Sequence, residues 1–278
     1  MSDVAVDSLH LYPVKGCAGI GLASARVATT GLTMEGAADR EWMVIDETGR
    51  FLTQRELPRL AQIRTGIVDG LLRLAAPHMP TLVLGREPGA TARDVVVWRS
   101  NVRGVDAGDT AARWLSDWLA QEVRLVRFDR TVTRLCNPEF AGTSGAHTYF
   151  ADGYPVLVIG AASLDDLNAR LAGRGEPALP MNRFRPNIVV RGLEAFEEDH
   201  VDTFTIGDIV LRVVKPCTRC KVTTTDQTTA VVGIEPLRAL GEYRMNESAG
   251  GVAFGMNAIV IREGTIAAGS PVEVEWGF

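Results

Sequence analysis

The chain has 278 residues, of which 46% are hydrophobic and 23% charged, and its formal net charge is -5. This length allows two modest domains, and the composition is typical of a soluble globular protein. The negative charge argues against a nucleic-acid-binding protein that relies on bulk electrostatics, so any basic site must be local.

The N-terminus and the apolar content indicate no targeting or membrane segment. The first eight residues, M-S-D-V-A-V-D-S, lack the basic region and the apolar core of a secretory signal. No window approaches 18 uninterrupted apolar residues. Only Cys217 and Cys220 of the four cysteines are close in sequence, which favours a reducing compartment over a disulfide framework. We therefore expect a cytoplasmic protein with no membrane or nucleic-acid partner.

The first hundred residues predict short strands. Residues 8–14 alternate in hydrophobicity, and Pro13 favours a strand end. Apolar Trp42–Ile45 predicts a buried strand, and the polar, glycine-containing segment 46–50 predicts a hairpin turn. Apolar runs between residues 63 and 97, broken by Gly and Pro, predict antiparallel strands of a small barrel.

The clearest helix is predicted over Asp109–Leu119, whose apolar residues form one face. Asp109 is expected to cap its start, and Trp114 and Trp118 are expected to pack in the core. Residues 136–148 are rich in Gly, Ser, Thr and Asn, which predicts either a domain boundary or an active-site loop.

The second half of the chain combines one helix with a hairpin. Ser163 and Asp165 are expected to open a helix that continues through Leu171, with leucines on one face. Residues 194–202 are acidic and predict a surface turn. Residues 204–214 predict a hairpin that leads into a segment with two cysteines.

That segment, residues 215–226, reads K-P-C-T-R-C-K-V-T-T-T-D. Lys215, Arg219 and Lys221 surround its thiols, and positive charge favours the thiolate, which is the nucleophile and the metal ligand. Taken alone, the C-x-x-C pattern also fits half of a zinc site, a redox pair or two small buried residues.

The remaining sequence narrows these alternatives. A structural zinc site needs four ligands, but Cys17, Cys136 and the four histidines are scattered and no second C-x-x-C exists. A thioredoxin-type pair would open a helix, whereas the β-branched run at residues 221–225 predicts a strand. The thiols are therefore expected at a junction between a loop and a strand.

Four motifs resemble those of the MOSC domain proteins, in the branch that includes the mitochondrial amidoxime reducing component and its bacterial relatives. In chain order they are Y-P-V-K-G-C at 12–17, D-R-E-W at 39–42, F-R-P-N at 184–187 and K-P-C-T-R-C at 215–220. The resemblance spans nearly the whole chain. It implies an α+β, mainly β protein with a MOSC N-terminal β-barrel domain at residues 1–128 and a MOSC β-barrel domain at residues 129–278.

The resemblance also implies a cofactor, the monopterin molybdopterin form of the molybdenum cofactor. The second cysteine of C-x-R-C binds molybdenum in that family, which assigns Cys220 as catalytic metal ligand, and a soft thiolate suits this metal. The resemblance implies that Lys15 contacts the cofactor phosphate and that Arg40 contacts the pterin. The alternative interpretation of Arg40 is an ion pair with a neighbouring carboxylate. Cys217 is expected to pack beside the site. The other implied cofactor contacts are Thr53, Arg55, Asp152, Arg185, Asn187 and Arg219.

Some positions depart from the family pattern. Gly16 replaces a serine, and Gly153 follows Asp152 where the family has a polar side chain. Met256 replaces a glutamine and cannot donate its hydrogen bonds. Arg183, just before F-R-P-N, is expected to face solvent.

The implied function is a molybdenum-dependent oxidoreductase that cleaves N–O bonds in N-hydroxylated small molecules. The sequence lacks a cluster, flavin or nicotinamide motif, so the electrons are expected from a separate iron-sulfur, flavin or cytochrome protein. The alternative is a sulfur-carrier or cofactor-maturation module in which Cys217 or Cys220 holds a persulfide.

Overall fold

The computed structural model describes residues 4–85 and 91–277. Strands dominate this part of the chain, which confirms the expected mainly β, α+β class. The strands are β1 (Ala5–Leu11), β2 (Ile20–Leu22), β3 (Ser24–Ala28), β4 (Gly31–Met34), β5 (Ala37–Ala38), β6 (Trp42–Ile45), β7 (Arg64–Val68), β8 (Leu71–Ala75), β9 (Leu82–Leu84), β10 (Ala92–Val97), β11 (Ser100–Asp106), β12 (Arg124–Phe128), β13 (Val156–Gly160), β14 (Ile188–Arg191), β15 (Val201–Ile206), β16 (Ile209–Thr218), β17 (Met245–Asn246), β18 (Gly251–Arg262), β19 (Gly264–Ala267) and β20 (Glu273–Trp276).

The largest sheet joins the two ends of the chain. Its order is β2-β1-β14-β13-β18-β16-β15-β20, with β17 paired to β18. β1 pairs antiparallel with β14 through Leu9 and Ile188, and β13 pairs parallel with β14. The end of β1 therefore lies beside the start of β14. This arrangement brings the Y-P-V-K-G-C and F-R-P-N motifs together, because the first follows β1 and the second precedes β14.

Three smaller sheets complete the β structure. They have the orders β10-β11-β12-β6, β19-β3-β4-β5 and β7-β8-β9. The strands predicted between residues 63 and 97 are present and antiparallel, but β10 pairs with β11 and not with β9. Residues 86–90 of that predicted region lie outside the described residues. The turn at 46–50 is also present, with Gly49 at φ 81°.

The helices are α1 (Asp109–Leu119), α2 (Pro138–Ala141), α3 (Ala161–Ala172) and α4 (Leu237–Gly241). α1 has the predicted bounds, and both of its tryptophans are buried. The predicted cap is wrong, since Gly108 occupies the capping position and the Asp109 carboxylate accepts a hydrogen bond from Arg124 at 2.8 Å. The glycine-rich loop at 136–148 contains the single turn α2.

The start of α3 differs from the prediction because Ser163 has another partner. The helix begins two residues earlier, after Gly160, and the Ser163 hydroxyl donates to the buried Glu198 carboxylate at 2.7 Å. The Gly160 backbone N–H donates to the same carboxylate at 3.0 Å. Glu198 therefore lies inside, and the expectation of a purely surface turn at 194–202 is wrong at this residue.

The predicted strand at residues 221–225 is also wrong. Lys221–Thr224 forms a turn of 3-10 helix, and Cys220 lies immediately before it. The Thr223 hydroxyl donates to the Cys220 carbonyl at 3.0 Å, and the Thr224 hydroxyl donates to the Lys221 carbonyl at 2.9 Å. Such local hydrogen bonds compete with strand pairing and override the β propensity of threonine. The two cysteines lie at the junction of strand β16 and this turn.

Two apolar clusters form most of the core. One lies against the largest sheet and includes Leu9, Ile188 and Phe204. The other packs α1 onto the small sheets and includes Leu115 and Trp118. The site described below lies among elements that belong to both clusters, so it is held by packed structure on two sides.

Gly255 in β18 is predicted to tolerate no side chain. Its φ is 78°, and an added Cβ would lie 2.6 Å from Ile159 Cγ1 and 2.9 Å from the Val158 carbonyl oxygen of β13. Gly255→Ala should lower the free energy of unfolding by about 2 kcal/mol or more, because it adds backbone strain and a clash with a paired strand. Chemical denaturation measures this loss.

The matched control is Gly21→Ala on the edge strand β2. An added Cβ at Gly21 meets nothing within 4 Å. This variant should change the free energy of unfolding by no more than about 0.5 kcal/mol. Equal effects of the two substitutions would contradict the close approach of β13 and β18.

Candidate functional site

One cleft is lined by all nine side chains predicted for the site. They come from segments far apart in the chain, and they are Lys15, Arg40, Thr53, Arg55, Asp152, Arg185, Asn187, Arg219 and Cys220. The fold therefore brings these residues together, while their roles as ligands stay predictions.

Lys15 is buried at the base of this cleft. Its Nζ donates a hydrogen bond to the Phe150 carbonyl oxygen at 2.9 Å and forms an ion pair with Asp152. Burial lowers the pKa of Lys15 below its ordinary value, and the nearby Arg134 and Arg40 guanidinium groups act in the same direction, whereas Asp152 opposes them.

Asp152 connects Lys15 with the rim of the cleft. The Lys15 ammonium holds the pKa of Asp152 below its ordinary value. The carboxylate also accepts a hydrogen bond from Trp98 Nε1 at 3.0 Å. Asp152 is therefore an anion at neutral pH.

The loop that carries Asp152 is held from behind by a buried arginine. Arg134 donates to the carbonyl oxygens of Tyr149, Ala151 and Asp152 at 2.8, 2.6 and 3.1 Å. A guanidinium group offers five N–H donors in a rigid plane, which suits several carbonyls at once. No sequence pattern marked Arg134, because its three partners lie 15 to 18 residues away.

Tyr12 holds two of the predicted arginines. The guanidinium carbons of Arg40 and Arg185 each lie 4.3 Å from the centroid of its ring. Burial raises the pKa of Tyr12 to about 12, so the ring stays neutral. Cation–π attraction offsets part of the repulsion between two nearby cations. Tyr12 belongs to the Y-P-V-K-G-C motif, but its role is evident only in the structure.

Arg40 makes the ion pair that was its alternative interpretation. Its guanidinium pairs with Asp39, and its Nη2 donates to the Arg185 carbonyl oxygen at 3.1 Å. Its Nη1 donates to Asn187 Oδ1 at 3.3 Å. Arg40 nevertheless lines the cleft, so the ion pair positions this side chain and does not remove it from the site.

Two arginines of the site keep buried donors without a partner. Among the described residues, Arg185 Nη2 and Arg219 Nε have no hydrogen-bond acceptor. Burial, followed by the Arg40 charge, lowers the pKa of Arg185 to about 10, so it stays a cation at neutral pH. A buried donor without an acceptor costs free energy. A ligand with several acceptor oxygens would remove that cost.

The two cysteines differ in environment. Cys220 is exposed, whereas Cys217 is half-buried. Cys217 Sγ accepts a hydrogen bond from Arg219 Nη1 at 2.9 Å, and Arg219 Nη2 donates to the Phe184 carbonyl oxygen at 2.6 Å. Cys217 therefore orients Arg219, and Cys220 is the more accessible thiol of the cleft.

Arg183 does not face solvent, contrary to the sequence-based expectation. It is buried and forms an ion pair with Asp226 at 2.9 Å. Asp226 ends the cysteine segment, and it also accepts hydrogen bonds from the Thr228 and Thr229 backbone N–H groups. This pair joins the residue that precedes the F-R-P-N motif to the cysteine segment over a separation of 43 residues.

The family departure at Gly16 fits the local backbone, whereas nothing in the local structure requires glycine at position 153. Gly16 has φ 85°, and its carbonyl accepts a hydrogen bond from Gln54 Nε2 at 2.7 Å. The amides of Gln54 and Gln227 donate to each other at 3.0 and 2.9 Å, and this pair was absent from the predictions. An added Cβ at Gly153 meets nothing within 4 Å. Met256 is buried in β18.

The donor set fits a polyanionic cofactor with a soft metal. Five cationic side chains line the cleft, namely Lys15, Arg40, Arg55, Arg185 and Arg219, and Cys220 supplies a thiol. Across residues 4–85 and 91–277, no group of three or more His, Cys, Asp or Glu could hold a metal ion. Cys220 offers a thiolate, the kind of ligand that a soft metal prefers.

Comparison with known proteins gives the family. The chain matches the MOSC N-terminal beta barrel domain at residues 3–122 and the MOSC domain at residues 146–273. Mitochondrial amidoxime reducing component 2 of Rattus norvegicus is 34% identical over 281 residues, which cover 96% of this chain and 82% of that protein. Mitochondrial amidoxime-reducing component 1 of Homo sapiens is 33% identical over 288 residues, with the same coverage of 96% and 82%.

A solved structure gives a weaker match. The YUAD protein of Bacillus subtilis has a TM-score of 0.42 and 10% identity, with all of both chains covered.

The fold and both domain matches define a MOSC domain protein with a MOSC N-terminal barrel. The chain belongs to the family of the amidoxime reducing components. The resemblance seen in the four motifs is thereby confirmed. In the described part of the chain, no helix has the length and apolar character needed to cross a membrane. The relatives are named mitochondrial, and the cytoplasmic location of this chain stays a prediction.

Removal of the Tyr12 ring should weaken anion binding. Tyr12→Leu should lower the affinity of the cofactor-free protein for sulfate by about 5-fold to 10-fold, because Arg40 and Arg185 lose the ring that holds them. Tyr12→Phe keeps the ring and should change the affinity by less than about 2-fold. Isothermal titration calorimetry measures both values, and equal losses in the two variants would contradict the role of the ring.

The Lys15 charge should make anion binding depend on pH. Only the protonated ammonium attracts an anion, and the pKa of Lys15 lies below its ordinary value, so sulfate affinity should fall as pH rises, before an ordinary lysine would lose its proton. Lys15→Arg should keep the affinity to higher pH, since arginine stays charged. Titrations between about pH 7 and about pH 9 test this, because sulfate keeps its charge and the pKa of Arg185, about 10, lies above this range. Coincident profiles would contradict the prediction.

Proposed function

We propose that this chain is a molybdenum-dependent oxidoreductase of the amidoxime-reductase type, which reduces N-hydroxylated small molecules. The observation that carries the proposal is the convergence of five cations and the exposed Cys220 thiol in one cleft. Membership of the amidoxime reducing component family supports the reaction type. The cofactor proposed is the monopterin molybdopterin form.

The cleft side chains would hold opposite ends of that cofactor. Lys15, Arg40, Arg55, Arg185 and Arg219 would neutralise its phosphate and bind its pterin, and the charge-assisted hydrogen bonds of arginine suit both groups. Thr53, Asp152 and Asn187 would complete the polar contacts. Cys220 would bind the metal through its thiolate. When bound, the cofactor supplies the two-electron redox chemistry that the protein's own side chains lack.

The reaction needs two electrons and two protons for each N–O bond cleaved, and it yields an N–H bond and water. Asp152 is a carboxylate at neutral pH, because Lys15 holds its pKa below the ordinary value. It therefore accepts hydrogen bonds from the substrate and does not supply a proton. The protonated Lys15 ammonium is held in place by Asp152 and the Phe150 carbonyl oxygen.

A separate protein would deliver the electrons. The sequence lacks a cluster, flavin or nicotinamide motif, so we propose an electron donor of the iron-sulfur, flavin or cytochrome type. Cys220 is exposed, which lets a donor protein approach the proposed metal ligand. The division into domains at residues 1–128 and 129–278 also stays a prediction.

Cys220→Ser tests the proposal directly. Protein made in a host that produces the cofactor should contain about one molybdenum per chain. The rate at which the variant reduces an amidoxime with a chemical electron donor should fall by at least about 100-fold. Substitution of even a residue that only supports a metal ligand lowers metal affinity or activity by about 10-fold to 100-fold. Activity assays and metal analysis provide the two measurements.

Cys136→Ala is the matched control, since Cys136 is buried outside the cleft. It should keep the molybdenum content and the rate of the unmodified protein. Unmodified protein that holds no molybdenum would contradict the oxidoreductase. A sulfane sulfur that is lost in Cys220→Ser or in Cys217→Ser would then support the sulfur-carrier alternative.

A further inference from the structure

Trp98 lies beside the cleft and belongs to none of the motifs. It follows β10 in the turn before β11, and 45% of its surface is exposed. Its Nε1 donates to Asp152 Oδ1 at 3.0 Å, and the Arg55 guanidinium carbon lies 4.5 Å from its ring centroid. Asp152 and Arg55 line the cleft. The indole therefore lies just outside the cleft lining, in contact with two of its side chains, and this exposed border is called the rim.

The backbone at Trp98 is strained. Its φ is 55°, in the left-handed region where a bulky side chain is an outlier. Glycine or asparagine at this place in a hairpin turn would avoid the strain. The turn itself gives no reason for tryptophan. Strained residues that persist in a fold often have a functional role, so we looked for a role of the Trp98 side chain in its contacts.

Packing does not explain the side chain either. Trp42, Trp114 and Trp118 are almost fully buried, whereas Trp98 rests on one side against Phe51, with ring centroids 5.1 Å apart. Phe51 is buried and fixed. Together with the hydrogen bond to Asp152, this contact holds the indole in one orientation while much of its surface stays open to solvent.

The chemistry of the rim differs from that of the cleft interior. The interior presents cations such as Lys15 and Arg185, which suit an anionic group. The rim presents the exposed indole, the Asp152 side chain, which is 71% exposed, and the Arg55 guanidinium, which lies over the indole ring. The part of the indole that Phe51 and Arg55 leave exposed can stack against a planar conjugated group.

We propose that Trp98 is a specificity subsite for the aryl or other planar conjugated group of the substrate. The N-hydroxylated end would then enter the cleft while the planar group stacks on the indole at the rim. The inference rests on the proposed function, because it names the class of substrate that the same site prefers: N-hydroxylated compounds with an aromatic group over small aliphatic ones.

The test compares two substrates that differ in this group. Benzamidoxime carries an aryl ring and acetamidoxime a methyl group. The ratio of their kcat/KM values does not depend on how much of the protein holds cofactor. Trp98→Ala should lower the ratio of benzamidoxime to acetamidoxime by about 10-fold, which is the usual size of one stacking contact. An unchanged ratio would overturn the subsite.

Two further variants separate stacking from other effects. Trp98→Phe keeps a ring but loses the hydrogen bond to Asp152, and its ratio should stay within about 3-fold of the unmodified protein. A loss equal to that of Trp98→Ala would overturn stacking and assign the effect to the hydrogen bond. Trp276→Ala removes another exposed tryptophan, on β20, and should leave the ratio unchanged.

The pterin is also planar, so it is the competing occupant. Equal molybdenum per chain in Trp98→Ala and in the unmodified protein supports the substrate subsite, whereas loss of molybdenum assigns Trp98 to cofactor binding and overturns it. If the unmodified protein reduces neither compound, the proposed function fails, and ligand-observed NMR still tests the subsite. Benzamidoxime should then bind about 10-fold more weakly to Trp98→Ala, and equal binding would overturn the proposal.

Discussion

The arrangement of the site depends on how the fold keeps several cations close together. Arg40 and Arg185 lie on the same ring of Tyr12, and like charges at such short range repel unless other groups compensate. Compensation comes from the Asp39 carboxylate, from the π electrons of Tyr12 and from backbone carbonyls, such as that of Cys17, which accepts from Arg185 Nη1 at 2.6 Å. These partners hold the arginines in place but leave some donors unused, and those donors are what an anionic ligand requires.

Strand topology explains why these residues meet. β1 belongs to the N-terminal part of the sequence but lies in the largest sheet beside β14, and the His10 backbone N–H donates to the Asn187 carbonyl oxygen at 2.8 Å. Antiparallel pairing places the residues after β1 next to the residues before β14. The parallel strand β13 starts on the same side, so the loop with Asp152 also reaches this edge. The cleft on this side of the sheet is thus lined by polar segments from different parts of the sequence, which no single domain contains.

The sequence predicted the fold class correctly, and the residues it proposed for the site line one cleft, because both depend on local motifs; the roles of those residues stay predictions. The motif residues around Lys15, Arg185 and Cys220 lie in the cleft. The sequence-based predictions that were wrong concern residues whose structure depends on partners far along the chain or on local polar contacts. The buried Arg183 pairs with Asp226, 43 residues further along the chain, and residues 221–225 avoid a strand because threonine hydroxyls bond to nearby carbonyls. Neither effect appears in hydrophobic periodicity.

Asp152 links the two parts of the cleft through a single carboxylate. It pairs with Lys15 at the base and accepts from Trp98 at the rim. An anion that binds Lys15 competes with this carboxylate, so part of the attraction between Lys15 and the anion is offset by the loss of an existing ion pair. The same carboxylate thus contacts the Lys15 ammonium and the Trp98 indole, and Arg134 holds the backbone that carries it.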